Sequence, residues 1–123
     1  MKLKQLIEAR KTIMQYAKEK IPAPTAYKLI KFLKHTDTDE LFLNEKLREI
    51  IIRYARKDEG GEYIFDENKG ICLKPDYIED ARKEITELEN VEIEIPFRFS
   101  LEEFTWLKIS MSEIYTLDGL IEE

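Results

Sequence analysis

The sequence predicts an α+β domain: an N-terminal helical hairpin with one long helix, then a small antiparallel sheet of about three strands and short C-terminal helices. In the first half of the chain, apolar residues recur at steps of three and four, the period of an amphipathic helix. After Gly60-Gly61 the pattern changes to short apolar runs separated by turn residues, which is typical of strands. The length of 123 residues favours a single domain over residues 1–123.

The first helix is predicted from an apolar stripe that Pro22 and Pro24 end, because proline lacks an N–H donor and restricts the preceding residue. The stripe consists of Leu3, Leu6, Ile7, Ile13, Met14, Ala17 and Ile21. A second helix opens at Pro24-Thr25, and its expected inward residues are Ala26, Leu29, Ile30 and Leu33. Two helices joined by so short a link form a helical hairpin.

The polar stretch 35–40 leaves two alternatives open for the second helix. Asp37 and Glu40 have capping-box spacing, so a new helix could begin there. The stretch contains neither Gly nor Pro, however, and the apolar residues around it fit one helix that continues to Lys57. We expect one long helix that could be kinked at this stretch. Its apolar residues would be Ile30, Leu33, Leu41, Leu47, Ile51 and Tyr54.

The second half of the chain carries the predicted strands. Residues 63–65 and 71–73 flank a Gly-bearing loop, which indicates a β-hairpin. Residues 91–95 alternate strictly between apolar and charged side chains, and the alternation continues through Phe97 and Phe99. This pattern predicts a third strand with one apolar face. Pro96 would place that strand at a sheet edge or a bulge, because proline cannot donate to the ladder.

Helix-start signals predict three further helices. Pro75 suits the first turn of a helix with the buried stripe Ile78, Ala81, Ile85 and Leu88. Ser100 with Glu103, and Ser110 with Glu113, have capping-box spacing and predict two short C-terminal helices. Aromatic side chains are dense in this region and are expected in the core, with an interface as the alternative. They are Phe97, Phe99, Phe104, Trp106 and Tyr115.

The net charge of −6 conceals a split between the two halves. Residues 1–57 carry 14 basic side chains against seven acidic ones, a net charge of +7, and residues 58–123 carry six against 19, a net charge of −13. We therefore expect a basic helical part and an acidic α+β part. Such a split indicates a basic contact surface or head-to-tail self-association, unless the halves neutralise each other within one fold.

Several classes of function lack the residues that they need. Cys72 is the single cysteine and His35 the single histidine, so one chain cannot form an intramolecular disulfide, a multi-cysteine zinc site or a two-histidine metal site. The four glycines fit no phosphate-binding loop. No apolar run approaches the length of a membrane-spanning helix, and the first residues lack a signal-peptide pattern. We expect a protein without catalytic residues, metal, cofactor or membrane association.

The second helix carries a candidate binding stripe opposite its expected apolar face. The stripe, able to contact phosphates or an acidic protein surface, consists of Tyr27, Lys28, Lys31, Lys34 and His35. A solvated helix face, or internal pairing with the acidic half, would explain the same pattern. The acidity of the whole chain and the shortness of the stripe argue against nucleic-acid binding.

Arg10 is the second candidate, because by helical angle it lies inside the first apolar stripe. Burying a charge costs several kcal/mol unless the charge is paired, so another group should contact it. That group could be an internal acid, with snorkelling of the side chain as the other structural solution. Alternatively, the guanidinium could contact an anionic ligand or a partner subunit.

Five features together resemble small accessory proteins of tailed phages and prophages. They are the proline-ended first helix, the run 22–34, the helix-ending Arg53-Tyr54, the Gly-bearing turn and the closing run 109–114. The resemblance implies a phage protein that acts in the bacterial cytoplasm, and it brings no catalytic residues. It implies a non-enzymatic protein that binds a host or viral protein, as an inhibitor of a host defence factor or as a virion-assembly accessory. The alternative is a homo-oligomer that sequesters an anionic, nucleotide-type small molecule in a basic pocket.

Overall fold

A computed structural model describes residues 1–96, 98–105 and 108–122, and most of these residues are helical. The α-helices are α1 (Leu3–Gln15), α2 (Ala23–Arg53), α3 (Ile78–Glu89) and α4 (Met111–Leu117). Short 3₁₀ helices span Pro75–Tyr77, Leu101–Phe104 and Asp118–Leu120. Two strands of two residues each, β1 (Phe99–Ser100) and β2 (Ile121–Glu122), pair in parallel. None of the helices in these ranges has the length and apolar character needed to cross a bilayer.

The chain divides into two compact units. One comprises Met1–Glu40 together with Val91–Glu123, and the other comprises Leu41–Asn90. The expected change from a basic to an acidic part at residue 57 therefore falls inside the second unit. The core of the first unit contains the fully buried Phe32 and Phe99, whose rings meet edge to face with centroids 6.1 Å apart.

The long second helix is confirmed, although its ends and its buried face differ from the prediction. α2 is continuous for 31 residues and ends at Arg53 instead of Lys57. Its buried face in the first unit includes Leu29, Phe32 and Thr36, while the expected inward residue Ile30 is 49% exposed. The Phe32 ring, which has a large apolar surface to bury, lies on this face and is fully buried.

The first helix ends earlier than the prolines required. α1 stops at Gln15, and the N–H groups of Tyr16 and Ala17 donate to the carbonyls of Ile13 and Met14 at 3.0 and 3.2 Å. These bonds between residues three apart tighten the last turn, a common way to satisfy a helix end. The chain then continues through a turn to Pro22, so the two helices are present but are joined by a longer link than predicted.

The predicted α+β class with its three-stranded antiparallel sheet is wrong. In the described residues, the hairpin 63–73 forms isolated antiparallel bridges, and the alternating segment 91–95 forms one bridge, between Lys2 and Glu92. The alternation is real, but the partner of this segment is the short stretch before α1, too short for a ladder. Phe97, part of the same prediction, lies outside the described residues.

A ring of backbone hydrogen bonds replaces the predicted hairpin sheet. The N–H of Ile64 donates to the carbonyl of Arg56, that of Cys72 to Ile64, and that of Arg56 to Cys72, at 3.1, 2.8 and 2.7 Å. Arg56, Ile64 and Cys72 are spaced eight residues apart. The hydrogen bonds therefore repeat along the backbone, although the side chains at these positions are unlike one another. Each segment pairs with both of the others over one or two hydrogen bonds, so no pair grows into a regular strand.

Matching aspartates build the two turns between these segments. The Asp58 carboxylate accepts from the N–H groups two and four residues later, and the Asp66 carboxylate does the same, at 2.8–3.0 Å. Aspartate commonly closes turns in this way. Three residues after each aspartate the backbone is left-handed, with φ of +82° at Gly61 and +63° at Lys69. Glycine adopts this conformation without the strain that a side chain introduces.

Three helix-start predictions are confirmed. Pro75 opens the 3₁₀ turn that leads into α3. At α4 the Ser110 side chain accepts from the Glu113 N–H at 3.2 Å, and the Glu113 carboxylate accepts from the Ser110 N–H at 3.2 Å. Ser100 with Glu103 forms the second capping box, but it heads a 3₁₀ helix of four residues.

The paired turns give a test in which two substitutions act in opposite directions. Lys69→Gly should stabilise the protein by about 1 kcal/mol, because it removes the left-handed strain of a side chain. Gly61→Ala should destabilise it by about 1 kcal/mol, because it introduces that strain at the equivalent position. Urea denaturation followed by circular dichroism measures both. Effects of the same sign would contradict the equivalence of the two turns.

Candidate functional site

Arg10 is buried, and its guanidinium is enclosed by groups of α2. Its Nε donates to Glu40 Oε2 at 2.6 Å, and its Nη2 donates to Asp37 Oδ1 at 3.2 Å. Its Nη1 donates to the Leu33 carbonyl at 2.7 Å and to Thr36 Oγ1 at 2.6 Å. The prediction that another group contacts Arg10 is thus confirmed, and that group is internal.

Asp37 and Glu40, which accept hydrogen bonds from Arg10, are the same two acids whose spacing suggested that a new helix could begin there. Asp37 and Glu40 share one face of α2 with Thr36, since residues three and four apart are helical neighbours. Thr36 is fully buried, and its hydroxyl also donates to the Phe32 carbonyl at 2.8 Å. α2 is continuous through this stretch, and the two acids accept hydrogen bonds from Arg10 of α1 instead of capping a new helix.

Lys28, the second charge of the candidate stripe, is also engaged within its own unit. Its Nζ contacts Glu103 at 3.2 Å, donates to the Arg98 carbonyl and lies 4.6 Å from the centroid of the Phe99 ring. Lys28 is therefore paired internally with an acidic residue, which was one of the alternatives left open by the sequence. Lys28 therefore anchors α2 to the segment around β1.

The remaining residues of the candidate stripe lie at the surface. Tyr27 is 63% exposed, and Lys31 Nζ lies 4.9 Å from the centroid of its ring. Lys34 and His35 are also exposed. His35 faces a wide, open depression of about 840 Å³ lined by the segment 92–96 and Arg98. The stripe is therefore divided, and its two exposed lysines lie on the side of α2 that carries Tyr27.

Beside this surface lies an apolar groove between the end of α1 and the start of α2. We call it the binding groove; its volume is 240 Å³, and it is lined by Ile13, Met14, Ala17, Glu19, Ile21, Ala26, Leu29, Ile30 and Leu33. Met14 is 57% exposed, and Ile30 is half exposed. Apolar side chains clustered at an open groove are typical of a surface that binds another molecule.

Four exposed lysines lie close in sequence to residues that line the binding groove, and the exposed acid Glu19 is one of the lining residues. Lys34 lies one helical turn beyond Ile30, and Lys11 lies one turn before Met14. Lys18 follows the lining residue Ala17. We call Lys11, Lys18, Lys31 and Lys34 the lysine rim. An apolar floor with a charged rim has the general anatomy of a protein interface.

On its other side, α1 is fixed to α4 by polar side chains. Thr12 and Thr116 share a hydrogen bond of 2.7 Å, and the Tyr16 hydroxyl donates to the Glu113 carboxylate. This hydrogen bond, followed by those from Ser110, lowers the pKa of Glu113 below its usual value, and it raises the pKa of Tyr16. The two pairs fix the orientation of α1 relative to α4.

The described residues contain no cluster of three or more His, Cys, Asp or Glu side chains suited to a metal ion.

The predicted core aromatics Phe99 and Phe104 are buried, whereas Tyr115 is exposed; Phe97 and Trp106 lie outside the described residues.

Compared with known protein families, with curated proteins and with solved structures, the chain matches none.

Sequence reasoning missed the binding groove because it assigned the groove residues to the core. Met14 and Ile30 fit the apolar stripes, and no sequence signal distinguishes an uncovered apolar position from a buried one. The partners of Arg10 were detectable in principle. Thr36, Asp37 and Glu40 form a polar patch on one face of α2, and such a patch is what a buried guanidinium requires.

The partners of Arg10 should differ in their contributions to stability. Glu40→Gln should destabilise the protein by about 1–3 kcal/mol, because it removes the shortest charged contact of a buried guanidinium. Asp37→Asn should cost less, below about 1 kcal/mol, since Asp37 is exposed and its contact is longer. Chemical denaturation of both variants measures the difference. Equal losses would mean that Glu40 contributes no more than Asp37 to holding Arg10.

The Tyr16–Glu113 contact predicts a measurable titration change. In Tyr16→Phe the pKa of Glu113 should rise toward its usual value, because its main hydrogen-bond donor is gone. The lowered pKa means that this contact stabilises the fold at neutral pH and is lost as the pH falls through the folded-state pKa of Glu113. NMR titration of the carboxyl carbon measures the shift. Thr116→Val is the control and should leave the pKa of Glu113 unchanged.

Proposed function

We propose that the chain is a non-enzymatic interaction protein that binds another protein through the binding groove. The observation that carries this proposal is the exposure of Met14, Ile30 and Tyr27 around one apolar groove with the lysine rim beside it. Clustered exposed apolar side chains at a groove are a common feature of surfaces that bind another protein. The resemblance to phage accessory proteins supplies the finer role within the proposal: inhibition of a host defence factor, with virion assembly as its alternative.

Protein binding is proposed ahead of the sequestration of an anionic small molecule. Arg10 donates to four groups of its own unit, and Lys28 is held by Glu103 and the Arg98 carbonyl. A basic ligand pocket built on the stripe or on Arg10 would lose these two charges, because both are already engaged, and would keep only Lys31 and Lys34. The exposed lysines that remain lie beside an apolar floor, which suits a protein side chain better than a phosphate.

Photocrosslinking in bacterial cells tests the proposal. A benzophenone amino acid at position 27 should form adducts of higher mass, because Tyr27 lies beside the groove and is exposed. The matched control places the same probe at Tyr77, a partly exposed tyrosine of the other unit, and should give few adducts. Adding Ile30→Glu to the Tyr27 probe should remove the adducts, since a carboxylate in the groove opposes apolar contact.

Mass spectrometry of the adducts identifies what was captured. Adducts that persist at full yield with Ile30→Glu, or that form equally from position 77, would contradict binding through the groove. Loss of the adducts in a chain with unchanged circular dichroism would support it, because the fold would then be intact while the contact is gone.

A further inference from the structure

We infer that the binding groove receives α4 of a second copy of this chain, so that copies associate head to tail. This inference rests on the proposed function, since it uses the same groove, and it names the occupant. The evidence is a second exposed apolar surface in the same unit, with a charge opposite to that of the lysine rim.

The second surface is one face of α4. Met111 is 89% exposed and Tyr115 is 81% exposed, the two highest values among the large hydrophobic residues described. They are four residues apart and therefore neighbours on the helix, with Ile114 beside them. We call Met111, Ile114 and Tyr115 the α4 ridge. A protruding Met and Tyr pair is the kind of anchor that fills an apolar groove in a partner.

The charges around the α4 ridge complement the lysine rim. Tyr115 shares a crevice with Glu8 and Asp118, and both acids are exposed. The exposed Lys108 lies three residues before Met111. Two exposed acids, Glu8 and Asp118, therefore face one exposed lysine, Lys108, around the ridge, whereas four exposed lysines face one acid, Glu19, around the groove, so the two surfaces differ in net charge. Opposite charges beside matching apolar surfaces guide association and fix its orientation.

The position of α1 prevents the ridge from filling the groove of its own chain. Thr12 and Tyr16 hold α4 on one side of α1, while Ile13 and Met14 line the groove on another. Within one copy the two surfaces therefore face different directions. Contact between them needs two copies, and the pair then keeps one free groove, on one copy, and one free ridge, on the other. Such a heterologous contact builds a ring or an open chain.

Sedimentation velocity over a wide range of protein concentration tests the inference. The wild-type chain should show a mass that rises with concentration above the 14.7 kDa of one copy. Ile30→Glu disables the groove and Tyr115→Lys disables the ridge, both at exposed positions where the fold should tolerate a charge. Each variant alone should remain monomeric. Circular dichroism checks that both variants are folded.

Mixing the two variants is the decisive step. A groove variant still has its ridge and a ridge variant still has its groove, so the mixture should form a one-to-one dimer that grows no further. Glu79→Lys, an exposed charge reversal in the other unit, is the control and should associate as the wild type does. Added salt should weaken association, because it screens the charges beside the interface.

Three outcomes would overturn the inference. The wild type could remain monomeric at every concentration, the ridge variant could associate as well as the wild type, or the mixture could stay monomeric while the wild type associates. The experiments distinguish a failure of this inference from a failure of the proposed function. Adducts with a different protein at position 27, together with a monomeric wild type, would retain groove binding and reject the second copy as its occupant.

Discussion

The buried guanidinium of Arg10 is the constraint on which the N-terminal helices depend. A guanidinium cannot be deprotonated in a protein, so its burial requires acceptors at fixed positions. α2 supplies them from Leu33, Thr36, Asp37 and Glu40. Because these acceptors lie on successive turns of one helix, they fix both the rotation of α2 and its position along α1. An apolar contact in their place would tolerate sliding, since dispersion has little direction.

The same constraint changes how the basic charge of the first half is used. The sequence shows a net charge of +7 in residues 1–57, but Arg10 and Lys28 are committed to internal contacts. The exposed lysines on α1, its following turn and α2 remain for contact with another molecule. These lysines lie beside apolar residues, which is the ground for proposing a protein as the ligand in preference to a free anion.

The sequence predicted an element correctly where its local pattern was compatible with only one structure. The long helix, the capping boxes and the need for a partner at Arg10 followed from spacing alone. The acids Asp37 and Glu40 did not, because a spacing of three residues suits both a cap and a pair of neighbours that contact another helix. The alternation of residues 91–95 equally suits a strand and an extended segment with a two-residue partner, and that partner was visible only in the structure.

The binding groove follows from the way in which α1 is held. Polar contacts fix it on both sides, to α2 through Arg10 and to α4 through Thr12 and Tyr16. Directional contacts of this kind set the geometry of the helices without requiring their ends to close over one another, so Met14 and Ile30 remain open to solvent. Full burial of one such side chain is worth about 1.5–3 kcal/mol. Met14 and Ile30 are already about half buried, so a protein that covered both side chains would gain about half of that free energy for each.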